Sequence, residues 1–122
     1  MMTGKVTGNL DAVIEIEVVG SNQQEKIEAV IDTGFYGFLV LPSDLINRLT
    51  LQRIGNQPAF LGDGNEVDFD IYLAKVLWNG KEREVTALES DAGPLVGMSL
   101  LYGSRVVLNV INDGDVSINA LH

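Results

Sequence analysis

The chain contains no cysteine, which removes disulfides and thiolate metal ligands from consideration. Its single histidine is His122, the last residue of the sequence, where backbone is expected to fray. Ser-His, Cys-His and histidine-ligated metal chemistry are therefore set aside. Any catalysis must come from carboxylates, hydroxyls, lysine or tyrosine. Positive charge is scarce: 8 Lys and Arg stand against 17 Asp and Glu, giving a net charge of −9 and a pI near 4.3. Such a surface repels phosphate backbones, so nucleic acid is not an expected partner, and anionic membranes are disfavoured too. No apolar run approaches the roughly 18 residues of a membrane helix. Met1-Met2-Thr3-Gly4-Lys5 leads into no apolar signal core, so the expectation is no secretory peptide and a cytoplasmic location. No cofactor and no metal site are expected.

What is present is a core-forming composition. The 122 residues are 46% hydrophobic, enough for one domain, residues 1–122, with a real core. Glycine, 13 residues, is scattered evenly, as in an all-β chain of short strands and turns. Asn9 to Val19 alternates Val13, Ile14, Ile16 and Val18 with Glu15 and Glu17, a strand with one buried face. Gly20-Ser21-Asn22 then turns the chain into a second strand, Lys26 to Ile31. Phe38 to Leu41 is a third. Ser43 to Leu49 predicts a two-turn helix, with Ser43 as N-cap, Asp44 at the positive end and Leu45, Ile46 and Leu49 on one face. Phe60-Leu61, Gly62-Asp63-Gly64-Asn65 and Glu66-Val67 read as a hairpin tip. Val67 to Trp78 alternates up to Asn79-Gly80, a strong hairpin signal, followed by Glu84 to Leu88. Pro94 to Leu101 is apolar and ends in a predicted short helix. Val106 to Ile111 and Val116 to Ile118 flank the turn Asn112-Asp113-Gly114-Asp115. With about eight strands and one or two short helices, the pattern predicts a closed or nearly closed β-barrel.

One stretch breaks the pattern. In Ala29-Val30-Ile31-Asp32-Thr33-Gly34 a carboxylate ends an apolar strand, where burial is costly without a use for the charge. The motif resembles the active-site sequence of retropepsin-like aspartic proteases: two or three apolar residues, then D-T-G. The residues that follow, Phe35, Gly37 and Phe38-Leu39-Val40-Leu41-Pro42, resemble the single-domain prokaryotic branch with a D-T-G-F signature. Gly62-Asp63-Gly64 stands where that family places its flap. Pro94-Leu95-Val96-Gly97-Met98-Ser99-Leu100-Leu101 resembles its second hallmark, apolar-apolar-Gly before a short helix, and Val106 to Val110 resembles the strand after it. The resemblance covers nearly the whole chain, in the family's order. It implies an acid-protease-type barrel equivalent to one half of a pepsin-like bilobal enzyme.

The resemblance also implies a chemistry. Two carboxylates about 3 Å apart share one proton, as aspartic proteases generally do; the ionised member activates water and the protonated member donates to the substrate carbonyl. This chain carries one D-T-G, so the implied enzyme is a homodimer with Asp32 of each copy on the two-fold axis. Thr33 would bridge the axis. Gly34 would let backbone N–H groups approach the carboxylate. Phe35, Leu61, Gly62, Asp63, Gly64 and Gly97 would form the flap and the support of the loop, over a peptide or protein substrate. Many viral members have an arginine where this chain has Met98, so a Phe35–Met98 apolar contact is the expected substitute for their ion pair. Viral enzymes also end soon after the equivalent of Leu108-Asn109-Val110, and build an inter-subunit sheet from their termini. The acids Asp63, Glu66, Asp68 and Asp70, on or near the flap and alternating with Val67, Phe69 and Ile71, read as the solvated face of a strand. Tyr72 and Trp78 read as packing residues. The leading expectation is an aspartic endopeptidase; the alternative is a non-catalytic peptide-binding or regulatory module on the same fold.

Overall fold

The structure, a computed structural model, describes residues 1–60 and 64–121. Among these, ten strands and two short helices form in the order β1 (Met2–Val6), β2 (Ala12–Val19), β3 (Gln24–Ile31), β4 (Leu39–Leu41), α1 (Ser43–Leu49), β5 (Gln52–Phe60), β6 (Glu66–Trp78), β7 (Lys81–Glu89), β8 (Leu95–Val96), α2 (Met98–Leu101), β9 (Ser104–Leu108) and β10 (Asp115–Ala120). All strands belong to one sheet, ordered β5-β6-β7-β4-β8-β3-β2-β1-β10-β9. β6 also pairs with β2, through Glu17↔Leu77 to Val19↔Lys75. That second pairing closes β2, β3, β8, β4, β7 and β6 into a ring. The fold is all-β with two short helices, as the sequence pattern predicts.

The ring closes because β2 and β6 each share one edge between two neighbours. β1 takes β2 at Ala12 to Ile14 and β6 takes it at Glu17 to Val19. The alternation in β2 puts Ile14, Ile16 and Val18 into the core. They meet Val6, Ala29, Val76, Val96, Val116 and Ile118 from the neighbouring strands, and Leu45, Ile46 and Leu49 of α1. Trp78 is buried and Tyr72 packs against the same cluster.

Several sequence expectations are corrected. β1 and β5 carry no strand signal in the sequence: Met2–Val6 and Gln52–Phe60 are too polar to show apolar alternation, and their pairing with neighbouring strands makes them strands. The first predicted strand begins at Ala12, not Asn9, because Thr7 turns the chain. Its Oγ1 accepts the N–H groups of Asn9 and Asp11, each at 3.3 Å. The strand expected over Val106 to Ile111 instead spans Ser104–Leu108. Ser43 is not the N-cap of α1. Extended Pro42 holds that position without a side-chain bond, and Asp91 Oδ1 accepts the Ser43 N–H at 3.3 Å.

The C-terminus of α1 is capped by the β2–β3 turn. Gln23 Nε2 donates to the Arg48 carbonyl at 2.8 Å, the Ser21 N–H to the Leu49 carbonyl at 3.1 Å, and Ser21 Oγ to the Thr50 carbonyl at 3.1 Å. Carbonyls that an α-helix leaves unpaired at its end are thus satisfied from another element. Gly20 makes the approach possible, since a Cβ there would lie 2.3 Å from the Leu49 oxygen. The Asn79-Gly80 turn joins β6 and β7 with both residues at positive φ, 51° and 81°, as a two-residue hairpin of this sequence requires.

Candidate functional site

β3 runs parallel to β8, with Val30↔Leu95 and Ile31↔Val96 in register. β4 runs antiparallel to the same strand, with Leu39↔Val96 and Val40↔Leu95. β8 therefore lies between the strand that enters the Asp32 loop and the strand that leaves it. β4 and β8 are wholly apolar, and β3 is apolar over Ala29-Val30-Ile31, where it meets β8 in the interior of the sheet. Loop 32–38 must span β8, and its ends are fixed by two ladders.

Inside that loop the backbone is tightly bonded. The Asp32 N–H donates to the Val96 carbonyl at 2.9 Å and the Phe35 N–H to the Asp32 carbonyl at 3.2 Å. The Asp32 carboxylate, on a half-buried residue, accepts the Gly34 N–H at 2.9 Å through Oδ1. An Asp side chain bonded to the N–H two residues on is a local turn that also fixes the carboxylate's direction. No lysine or arginine among the described residues pairs with it.

α2 braces the loop from below. The Met98 N–H donates to the Phe35 carbonyl at 2.8 Å, the Gly97 N–H to the Phe38 carbonyl at 3.0 Å, and the Ser99 N–H to the Gly37 carbonyl at 3.1 Å. Ser99 Oγ donates to the Tyr36 carbonyl. Four consecutive carbonyls of the loop, 35 to 38, are thus held by residues 97–99. Buried Gly97 is required by this closeness: a Cβ there would sit 2.3 Å from the Gly37 oxygen and 2.8 Å from the Phe35 oxygen. At the other end of α2, Arg83 of β7 donates through Nη1 to the Leu100 carbonyl at 3.3 Å.

Asp32, Thr33, Gly34, Phe35 and Gly97 are thus brought together. Gly64, at φ +87°, lies in the β5–β6 connection. Leu61, Gly62 and Asp63, the rest of the expected flap, lie outside the described residues. Phe35 lays its ring against Gly37 and Gly97, with ring atoms 2.5 Å from the site of a Cβ on either. Met98 contributes its backbone N–H to Phe35 and remains 44% exposed.

No protein-family model matches this chain, and no curated protein matches it.

A groove of about 910 Å3 opens beside Thr33, lined mainly by apolar residues including Tyr36, Phe38, Met98, Tyr102 and Leu108. Among the described residues, Arg83 is the one charged residue along it. Sequence reading missed this groove and the part played by Ser99. Ser99 lies in the Pro94–Leu101 stretch with no role of its own there, Tyr102 lies outside it, and only the fold puts both beside residues 33 to 36. Glu66 and Asp68 are exposed, and Asp70 is half-buried and paired with Arg53 at 3.0 Å. Among the described residues, no group of three or more acidic or histidine side chains is placed to hold a metal ion, and no helix is long and apolar enough to cross a membrane.

Proposed function

We propose that this chain is one subunit of a retropepsin-like aspartic endopeptidase, with an acid-protease-type barrel equivalent to half of a pepsin-like enzyme. The observation that carries the reading is the Asp32 carboxylate: it follows apolar Ala29-Val30-Ile31, is oriented by the Gly34 N–H at 2.9 Å, and pairs with no lysine or arginine among the described residues. A carboxylate so fixed and so unpaired is suited to chemistry rather than to an ion pair.

In the proposed dimer, the Asp32 carboxylates of the two copies meet and hold one proton between them. The ionised member takes a proton from water as the water oxygen bonds to the peptide carbonyl carbon. The other member gives its proton to the carbonyl oxygen. Collapse of the resulting gem-diol breaks the C–N bond, with a proton passing to the leaving nitrogen. Thr33 lies next to the axis, and the bracing of carbonyls 35 to 38 by residues 97–99 supports the reading because a catalytic pair demands a rigid loop. The substrate is a peptide or an unfolded protein segment, and the proposed setting is the cytoplasm.

The decisive variant is Asp32→Asn, assayed on a peptide library at acidic pH. Cleavage is expected to fall to background with the fold intact by circular dichroism. Cleavage equal to wild type would remove the proposal. Wild-type protein that binds extended peptides without cutting them would leave the fold as a peptide-binding module.

A further inference from the structure

β7 begins with two cations on its inner face. Side chains two apart along a strand share a face, and Val85 and Ala87 of β7 are buried in the core. Arg83 and Lys81 continue that face outward, the first half-buried and the second exposed. Across the ladder they stand opposite Val76 and Trp78, both buried and apolar. Lys26 and Lys75 instead stand opposite Glu17 and Glu84. The ion pairs among the described residues are those of Lys5, Arg48 and Arg53. Lys81 and Arg83 thus stay uncompensated, on a chain whose net charge is −9.

A hollow of about 350 Å3 lies against these two side chains. Trp78, Tyr102 and Ser104 also line it. Glu82 is at its rim, but alternation places its side chain on the other face of β7. Arg83 gives one N–H to the Leu100 carbonyl and keeps the rest of its planar fork. Asn79, in the turn above, has a buried Oδ1 that accepts no hydrogen bond. The polar groups around the hollow therefore do not satisfy one another, which native structures rarely allow without a use.

We propose that this hollow binds a carboxylate carried beside an aromatic group. Arg83 matches the two oxygens of a carboxylate with paired donors, and Lys81 adds a point charge. Trp78 and Tyr102 supply apolar surface for the aromatic part. The volume is that of a small-ligand pocket. A peptide ending in phenylalanine and a free aromatic acid share this chemistry. An inorganic anion has the charge but gains nothing from the aromatic walls. The site uses no part of the Asp32 carboxylate, although Arg83 and Tyr102 also border the groove beside Thr33.

Trp78 is the one tryptophan of the chain, so its fluorescence reports occupancy directly. The probes are N-acetylphenylalanine, its amide, the tripeptide glycyl-glycyl-phenylalanine and inorganic phosphate, each titrated by fluorescence and by calorimetry. N-acetylphenylalanine is expected to bind saturably, with the amide and phosphate at least about tenfold weaker. Tighter binding of the tripeptide assigns the site to peptide C-termini, and weaker binding assigns it to free acids. Arg83→Gln should weaken the carboxylate probes about tenfold or more and Lys81→Gln about threefold or more. Lys26→Gln and Asp32→Asn should bind as wild type does. Should Arg83→Gln disturb α2 through the Leu100 carbonyl, exposed Lys81 alone decides. No binding of either carboxylate by both methods would overturn the proposal and leave the two cations as a solvated cover over Trp78. Equal binding of the amide, or binding indifferent to Lys81→Gln, would overturn it too.

Discussion

Asp32 and two glycines set different demands on the same loop. At Gly97 a Cβ would meet backbone oxygens of Gly37 and Phe35 at 2.3 and 2.8 Å, and backbone held by ladders on both sides cannot move aside. Gly97→Ala is expected to cost about 1–3 kcal/mol, as overpacking does, measured by urea denaturation. At Gly34 the added Cβ would lie 3.3 Å from Asp32 Oδ1, the end of a side chain that can give by a few tenths of an ångström. Gly34→Ala is expected to change stability by less than about 1 kcal/mol. It should still lower peptide cleavage about tenfold or more, because it turns the carboxylate itself. The two variants separate a residue that holds the loop from one that aims its acid.

At the scale of elements, α1 is tied to the β2–β3 hairpin by its carbonyl caps and by a fork between Arg48 and Glu25, with bonds of 3.2 and 2.8 Å. Hydrogen bonding from Arg48, with its charge, holds the Glu25 carboxyl below its ordinary value of 4.5, against a smaller opposing effect of desolvation. A carboxyl with a lowered value in the folded state stabilises the fold fully above 4.5 and loses that contribution as pH falls through the lowered value. Glu25→Gln should therefore melt below wild type at neutral pH, with the difference closing as pH falls below 4.5 and through the lowered value. The pair is exposed, so salt should shrink the difference too. Thermal melts over pH and ionic strength measure both.

For the whole molecule, the ring depends on its shortest strands. Three-residue β4 joins β7 to β8, with Leu39 opposite Ala87 on one side and Val96 on the other, and all three are buried. Leu39→Ala is expected to cost about 2–5 kcal/mol, the range for emptying a filled core site. Ile54→Ala, at a half-exposed edge position, should change stability by about 0.5 kcal/mol or less. Chemical denaturation of the two variants checks whether β4 closes the ring energetically as it does topologically.

The order of the amino acids alone determined the strands whose faces differ, such as β2 and β6, the helix at Ser43–Leu49 and the Asn79-Gly80 turn. Each follows from local periodicity or from a residue's own backbone preference. Asp32 also stood out at that level, because a charge closing Ala29-Val30-Ile31 is anomalous wherever it occurs. Only the tertiary structure decided that β1 and β5 are strands, since their bonds come from distant partners. It alone put Ser99 beneath Tyr36 and Tyr102 beside the same loop, and it left β9 rather than β1 at an open edge. Those outcomes depend on which strands lie side by side, a property of the closed sheet that no local run of residues carries.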